Sequence, residues 1–297
     1  MIKFLCLFAI VSLSITALAQ NEPESPNGEW KRGGVFSLSF TQLTLHNWIA
    51  GGENSMSGTS FLNLYANFSK NKMTWDNTLD LGYGLLKQGK RGFIKSDDKL
   101  EVSSKYGRYA FKHWYYSGLL GFKTQFAPGY RNPEDSLIIS DFLSPAYINA
   151  AIGMDFKPND NLSVFISPLA GKATIVTSDS LSSIGAYGVE AGKIFRSEFG
   201  GYIKVIYKAD IMKNVSFSTK LDLFSNYLNK PQNIDVNWDN LLALKINDYL
   251  SANVQFLLMY DDDIHIGVDT DDDGQPDKYG PRVQLKEMFG AGLMYKF

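Results

Sequence analysis

The feature that most constrains this chain is an alternation of apolar and polar residues with a period of two, repeated along most of its length. The segment 234–246 and the segments 149–156 and 215–223 all follow this pattern. Such alternation indicates β-strands with one apolar and one polar face. Strands in soluble proteins average about 5–6 residues, whereas a strand that crosses a bilayer needs ~9–11. The longer segments therefore favour a membrane barrel over a soluble β-sandwich.

The polar connections between these segments alternate between short and long. The short turns are expected at 69–72, 107–111, 157–160, 212–214 and 247–249. The longer loops are expected at 47–58, 88–95, 127–140, 177–198, 229–233 and 261–281. Outer-membrane barrels combine short periplasmic turns, longer extracellular loops and an even number of strands. The sequence therefore predicts an all-β fold, a single transmembrane antiparallel up-and-down β-barrel of about twelve strands over residues 33–297.

Residues 1–19 have the features of a cleaved signal peptide. An apolar stretch over 4–15 closes with Ala-Leu-Ala at 17–19, which is a typical cleavage site. The only cysteine of the chain, Cys6, lies within this segment. The mature protein is therefore expected to have neither a disulfide nor a thiol ligand for a metal. Residues 20–32 are predicted to form a short periplasmic segment before the barrel.

Charge and hydropathy exclude two other classes of protein. The chain has 29 Lys and Arg against 31 Asp and Glu, so it lacks the basic balance of a nucleic-acid-binding protein. No apolar run of ~18 residues follows the N-terminal segment, which argues against membrane-spanning helices. Aromatic residues make up 14% of the chain, and many lie near predicted strand ends, where the aromatic girdles of a barrel meet the membrane surface. These observations predict a protein of the cell outer membrane in contact with lipid.

The C-terminal segment predicts a partner during biogenesis. Phe289, Leu293, Tyr295 and Phe297 occupy alternate positions, and the chain ends on an aromatic residue. This pattern is similar to the signal that the barrel-assembly machinery reads. Recognition of that kind rests on β-augmentation, in which a strand edge pairs with the receptor while alternate side chains fill pockets. The sequence leaves the oligomeric state open.

An acidic segment near the C-terminus predicts a calcium site in an extracellular loop. Its expected ligands are Asp269, Asp271, Asp273, Gln275 through its backbone carbonyl, and Asp277. Ca²⁺ takes six to eight oxygen ligands, and the glycine after Asp273 permits a sharp turn as in an EF-hand loop. Gly280 stands where an EF-hand has a bidentate Glu, so the segment is closer to the DxDxDGxxD loops of thrombospondin-type and dockerin-type repeats. A solvated acidic loop tip is the alternative.

Charged residues of both signs lie on the polar faces of the strands, which are expected to point into the lumen. These residues are Lys204, Lys208, Lys220, Asp222, Asp235, Asp239, Lys245, Arg282 and Lys286. Buried charges must be paired or hydrated. Barrels of about eight strands are filled by side chains and those of 16–18 leave a channel, so about twelve strands allow either a water-filled pore or a plug of ion pairs. We favour the plug.

Several short stretches carry a resemblance to a known family. They are residues 48–55, 75–84, 95–99, 122–126, 166–169, 233–238 and 280–284. On these stretches the chain resembles, over nearly its whole mature length, a Bacteroidota family known as domain of unknown function 3078. The resemblance implies a barrel in the outer membrane. It implies no activity, because none is assigned to the family.

The histidines do not predict a catalytic site. His46 and His265 are expected at the extracellular ends of strands or in loops, and His113 in a periplasmic turn. A barrel phospholipase or deacylase needs a Ser–His pair on adjacent strands, and no serine motif accompanies these histidines. The predicted function is a non-enzymatic outer-membrane barrel that acts as a channel, a small-solute transporter or a structural component. The alternatives are a barrel enzyme that acts on lipid and a soluble β-protein.

Overall fold

The computed structural model describes residues 28–46, 52–130, 137–268 and 277–297. The predicted signal peptide lies outside these residues. Within them, no helix is long and apolar enough to cross a membrane.

The helical elements are α1, Asp179–Ser183, and a 3-10 turn, Ala186–Gly188. The strands are β1 Glu29–Leu43, β2 Ser55–Lys70, β3 Met73–Gln88, β4 Ile94–Phe111, β5 Trp114–Thr124, β6 Gly129–Tyr130, β7 Ile138–Ser140, β8 Ala146–Asn159, β9 Leu162–Ile175, β10 Phe195–Met212, β11 Val215–Asn226, β12 Ile234–Lys245, β13 Leu250–Tyr260, β14 His265–Val268, β15 Lys278–Pro281 and β16 Gln284–Lys296.

Twelve of these strands form one closed antiparallel barrel. Their order around the barrel is β1-β16-β13-β12-β11-β10-β9-β8-β5-β4-β3-β2. The remaining strands form two small hairpins, β6–β7 and β14–β15, within the connections β5–β8 and β13–β16. Each barrel strand pairs with the barrel strands that precede and follow it in the chain. This architecture confirms the predicted up-and-down barrel of about twelve strands.

Short and long connections lie at opposite ends of the barrel, as the sequence predicted. The start of β1, the end of β16 and the β2–β3, β4–β5, β8–β9, β10–β11 and β12–β13 turns lie at one end of the barrel, which we call the short-turn end; the other is the long-loop end. Two predicted turns were wrong in position, because β4 continues to Phe111 and β8 to Asn159. Gly107 and Pro158 lie inside these strands, and register shifts near the strand ends accommodate the irregular pairing.

The barrel also begins earlier than the pattern predicted. β1 starts at Glu29, which pairs with Ser69 of β2, so the last residues of the predicted segment 20–32 belong to the barrel. At the other terminus, β16 pairs with β1 from Gly292–Ser39 to Lys296–Val35. Phe297 then exchanges two backbone hydrogen bonds with Gly34. The first and last barrel strands therefore close the barrel together.

Side chains alternate between the outer surface and the lumen. Leu120 and Ile152 on the outer surface are 53% and 70% exposed, whereas Phe165 in the lumen is fully buried. Trp30 lies near the short-turn end, with ring centroids 5.1 Å from Phe68 and 5.9 Å from Trp75. The predicted assembly residues also face outward and are exposed: Phe289, Leu293, Tyr295 and Phe297. The period of two thus translates into an apolar outer surface with an aromatic cluster near one end.

Two long loops form a small cap at the long-loop end. Val176, Leu181 and Val189 are buried together, with Ile138 and Tyr187 packed against them. The Tyr187 hydroxyl donates a hydrogen bond to the backbone carbonyl of Ile139, which joins the β9–β10 loop to β7. Burial raises the pKa of Tyr187 to about 12, so this hydroxyl stays protonated at neutral pH and keeps its donor role.

Candidate functional site

Four charged side chains cross the lumen near the middle of their strands. We call Lys99, Glu101, Lys220 and Asp239 the mid-lumen belt. The Nζ atom of Lys99 lies 3.4 Å from Asp239 Oδ2 and 3.3 Å from Glu101 Oε2. Lys220 forms an ion pair with Glu101. β4 carries Lys99 and β12 carries Asp239, and five strands separate β4 from β12 on either side of the barrel. The belt therefore joins opposite walls of the lumen.

A second ion pair extends the belt along the wall of the barrel. Lys204 of β10 donates to Asp222 of β11 at 2.9 Å, and the Tyr202 hydroxyl also donates to Asp222. Lys204 is only 6% exposed. The Asp222 carboxylate thus accepts hydrogen bonds from two donors. These bonds replace water that the carboxylate loses on burial.

Towards the short-turn end the lumen is filled by a second group of charges. We call Asp76, Lys105, Asp155 and Lys157 the short-turn cluster. Asp155 is 1% exposed, lies 2.6 Å from Lys105 and 3.5 Å from Lys157, and accepts a hydrogen bond from Ser163 at 2.8 Å. Lys157 also pairs with Asp76. Phe165 lies next to this cluster in the register, since it pairs with Asp155 across the β8–β9 ladder.

A third group lies at the long-loop end. Lys172 of β9 contacts Asp235 at 2.6 Å, Asp261 at 3.0 Å and Glu198 at 3.6 Å. Arg196 of β10 contacts Glu198 at 2.8 Å. We call these five residues the rim cluster. Its two cations and three carboxylates connect β9, β10 and β12 with the start of the β13–β14 loop.

Asp262, next to the rim cluster, ties two long loops together. Its carboxylate accepts hydrogen bonds from Asn233 at 2.6 Å and from Lys230 at 3.2 Å. Burial raises the pKa of Asp262, but these two hydrogen bonds and the charge of Lys230 outweigh that effect and hold the pKa below its usual value. The carboxylate is therefore ionised at neutral pH and keeps both donors.

Between the mid-lumen belt and the rim cluster the lumen contains a cavity. Its volume is about 140 Å³, which is space for about five water molecules. Leu119, Tyr147, Tyr202, Phe224 and Met259 give it apolar walls, while its polar lining includes the residues Lys123, Asn149, Asn237 and Gln284. We call it the lumen cavity. A mostly apolar cavity with a few polar groups is the usual form of a small-molecule site.

The structure brings most of the predicted lumen residues together. Lys204, Lys220, Asp222, Asp235 and Asp239 all lie in the groups described above. Lys208 shares the inward face of Lys204 but is exposed towards the short-turn end. Lys286 faces inward and pairs with Asp97 at 2.7 Å.

Two predicted lumen residues lie elsewhere. Lys245 is at the last position of β12, where its side chain is exposed and contacts Asp248 of the following turn at 2.7 Å. Arg282 is exposed and lies between β15 and β16, outside the barrel strands. Alternation assigns both residues to the inward face, but neither position borders the lumen, because β12 ends at Lys245 and β16 begins after Arg282.

Several residues of these groups were not predicted from the sequence. They are Asp76, Lys99, Glu101, Lys105, Lys123, Asp155, Lys157, Lys172, Arg196 and Glu198. The signal was present in β4, where Lys99, Glu101 and Lys105 alternate with Leu100 and other outward residues. Alternation within one strand shows only which residues share a face, however. The contact between Lys99 of β4 and Asp239 of β12 follows from closure of the barrel.

The predicted calcium ligands lie almost entirely outside the described residues. Asp269, Asp271, Asp273 and Gln275 are among the residues that the structure does not describe, whereas Asp277 is described and exposed. The flanking strands β14 and β15 pair Val268 with Lys278. Over the described ranges, no three His, Cys, Asp or Glu side chains form a group suited to a metal ion.

The three histidines lie where the sequence placed them along the barrel. His46 follows β1 and His265 begins β14, both at the long-loop end. His113 lies in the turn between β4 and β5, and its ring packs edge-on against Phe156 with centroids 6.2 Å apart. These positions are distributed over both ends of the barrel.

Comparisons with known proteins give a family match and several similar structures. A family described as "Protein of unknown function (DUF3078)" matches residues 40–130. An outer membrane channel from Pseudomonas putida F1 is 12% identical with a TM-score of 0.39, covering 94% of this chain and all (100%) of that one. The translocator domain of the autotransporter NalP from Neisseria meningitidis is 9% identical with a TM-score of 0.37, covering 93% and 90%. No curated protein matches significantly. The Bacteroidota origin stays a prediction.

Proposed function

We propose that the protein is a gated channel for small solutes in the outer membrane, without enzymatic activity, and that its lumen is closed in the described state. The observation that carries the proposal is the mid-lumen belt, which joins opposite walls directly below an amphipathic cavity. A purely structural barrel gains nothing from an unfilled cavity, because an unfilled interior loses packing energy. A permanently open pore, in turn, does not bring charges of opposite walls into contact.

The outer surface supports the membrane location. Large apolar side chains are exposed on strands around the whole barrel, among them Leu38, Leu120, Ile152, Val254 and Phe289. The largest apolar patch on a typical soluble monomer covers about 300–600 Å², whereas this surface follows every side of the barrel. Lipid is the solvent that such a surface fits. The outward-facing residues of β16 likewise fit the predicted recognition by the barrel-assembly machinery.

The ion pairs of the belt support closure that is reversible. Breaking a buried pair by removing one partner costs about 3–5 kcal/mol, because the other charge remains buried alone. Separating both partners into a hydrated lumen costs less, since water then solvates each of them. A solute or a membrane potential that separates these pairs lets water reach both partners. It therefore opens the lumen without unfolding the barrel strands.

Conductance across a planar bilayer tests the proposal. We expect the wild-type barrel to remain closed for most of the recording. A variant in which Lys99, Glu101, Lys220 and Asp239 are all replaced by Ser keeps the net charge and is expected to conduct for a larger fraction of the recording than wild type, because the ion pairs that join β4 to β11 and β12 are then gone. The matched control replaces Lys245 and Asp248 by Ser, an exposed ion pair at the turn after β12, and should behave as wild type.

Either of two results contradicts this proposal. If the wild-type protein conducts as steadily as the fourfold variant, the belt does not close the lumen. If the fourfold variant stays closed while it shows the heat-dependent gel mobility of a folded barrel, another element closes it. A phospholipid-hydrolysis assay on the same preparation tests the absence of enzymatic activity, and release of fatty acid would contradict that part.

We also propose that the acidic segment 269–277 binds Ca²⁺ in a structural role. The pairing of Val268 with Lys278 supports this idea, because it holds the two ends of the segment next to each other. Such a loop site is expected in the weak range of extracellular modules, on the order of 10⁻⁴–10⁻³ M. Calorimetric titration with CaCl₂ should show heat that the Asp271→Asn, Asp273→Asn variant lacks. A wild-type titration without heat would sink the idea.

A further inference from the structure

One lysine of the lumen cavity lacks the partner that the other lysines there have. Lys204 pairs with Asp222, and Lys172 contacts three carboxylates. Lys123, near the end of β5, also lines the cavity and is half-buried. In the part of the chain that the structure describes, its Nζ atom forms no ion pair within 4.0 Å and no hydrogen bond. A cation in this position attracts an acceptor from outside the protein.

An unsatisfied acceptor lies on the opposite side of the same cavity. Asn237 of β12 lines the cavity, and its side-chain oxygen Oδ1 is buried without a hydrogen-bond donor in the described structure. Its Nδ2 atom donates to Asp222 at 3.5 Å, which is long for a hydrogen bond and holds the amide only weakly. β5 and β12 are separated by four strands on the shorter path around the barrel. The oxygen itself has almost no accessible surface, so a turn of the Asn237 amide is needed to bring this acceptor to the cavity wall that faces Lys123.

The space between these two groups suits a compact apolar body. Tyr147, Tyr202, Phe224 and Met259 line it. Its volume of about 140 Å³ is close to that of an engineered cavity of about 150 Å³ that holds benzene. Aromatic walls favour flat rings, which stack on them or meet them edge-on.

We infer that the lumen cavity binds a small hydroxylated organic acid with a ring-sized apolar body. Its carboxylate accepts a hydrogen bond from Lys123, its hydroxyl donates to the Asn237 oxygen, and its body contacts the aromatic walls. This inference rests on the proposed channel and names the class of solute that it takes up.

The charges around the cavity favour an anion over a cation. The carboxylates that line it, Glu101, Asp222, Asp235 and Asp261, are each paired with lysines of the barrel wall. A cationic ligand would have to displace these lysines, whereas an anionic ligand meets Lys123 directly. A single lysine without an arginine also suits a carboxylate better than a phosphate, for which several donors are the rule.

Calorimetric titration of the purified full-length barrel with 4-hydroxybenzoate tests the inference. Benzoate, which lacks the hydroxyl, and phenol, which lacks the carboxylate, serve as matched probes. We expect each of them to bind about tenfold more weakly, since each loses one buried hydrogen bond. Lys123→Met should weaken 4-hydroxybenzoate binding about tenfold to hundredfold and leave phenol binding nearly unchanged. Lys123→Arg should restore much of the affinity.

A second variant checks the other wall. Asn237→Leu should remove the advantage of 4-hydroxybenzoate over benzoate while both still require Lys123. Lys208→Met is the control, because Lys208 shares the inward face of the barrel but does not line the cavity. Heat-dependent gel mobility establishes that each variant is folded before it is titrated.

The outcomes separate this inference from the proposed gating. Absence of binding to the wild-type barrel, or equal binding by wild type and Lys123→Met, overturns the inference and shows that water alone hydrates Lys123. If binding depends on Lys123 while the wild-type protein conducts as an open pore, the site stands and the gating proposal fails. If the barrel is closed and binds none of the probes, the gating proposal stands alone.

Discussion

Both halves of the lumen contain charged and polar side chains, but the halves differ in whether these side chains have partners. In the short-turn half, Lys105 is 6% exposed and lies 2.6 Å from Asp155, which is 1% exposed. In the long-loop half, Lys123 and Asn237 line a cavity, and each keeps a polar atom without a partner in the described structure. The short-turn half of this barrel therefore has a packed interior, whereas the long-loop half keeps a cavity.

Side-chain size accounts for much of the difference. Phe165 fills the lumen beside the short-turn cluster and is fully buried. Gly121 lines the lumen cavity, and its position contributes no side chain to the space. The same strands form the wall of both halves. The difference in free space therefore comes from the volume of the inward side chains.

The largest expected effect is loss of the central carboxylate of the short-turn cluster. Asp155→Ala leaves Lys105 buried without its partner, so we expect the free energy of unfolding to fall by about 3–5 kcal/mol. Urea titration of the protein in lipid vesicles, followed by tryptophan fluorescence, measures it. The control Asp160→Ala removes an exposed partner of Lys31 and should cost less than about 1 kcal/mol. Equal losses in the two variants would mean that the packed half is no more sensitive than the surface.

An intermediate effect is expected from a glycine in each half. A Cβ atom at Gly153 would overlap the backbone oxygen of Ile166 and lie 2.7 Å from the Cα of Ser167. Gly153→Ala should therefore destabilise the barrel by about 1–3 kcal/mol, as overpacking does. At Gly121 the nearest atoms are 3.9 and 4.0 Å away, so Gly121→Ala should change stability by less than about 0.5 kcal/mol. The same urea titration compares them, and a reversed order would break the comparison.

The smallest expected effect is a pH dependence at the long-loop end. The folded pKa of Asp262 is lowered, so its contribution to stability is present above the unfolded value near 4 and is lost as pH falls through the lower folded value. The difference in unfolding free energy between wild type and Asp262→Asn should therefore shrink below pH 4. In a Lys230→Met background this pH dependence should be weaker. A difference that grows on acidification would show that the carboxylate does not stabilise these loops.

The sequence predicted the faces of the strands well. Alternation assigned Ile152 to the outer surface and Lys204, Asp222 and Asp239 to the interior, and the parity of short and long connections gave the twelve strands. It could do so because a strand places successive side chains on opposite sides whatever its neighbours are. Where a strand ends was less certain, since Gly107 and Pro158 look like turn residues but lie within β4 and β8.

The contacts across the lumen depend on properties that no single strand contains. Lys99 and Asp239 are far apart in the sequence, and they meet because the barrel has twelve strands and a register that brings both to the same height. The same closure leaves Lys123 without a carboxylate while Lys172 has three. Local alternation is enough to specify a barrel with an apolar outside and a charged inside, because it acts within each strand. Which charges are paired and which face a cavity depends on the tilt, register and closure of the whole sheet, so these features appear first in the folded barrel.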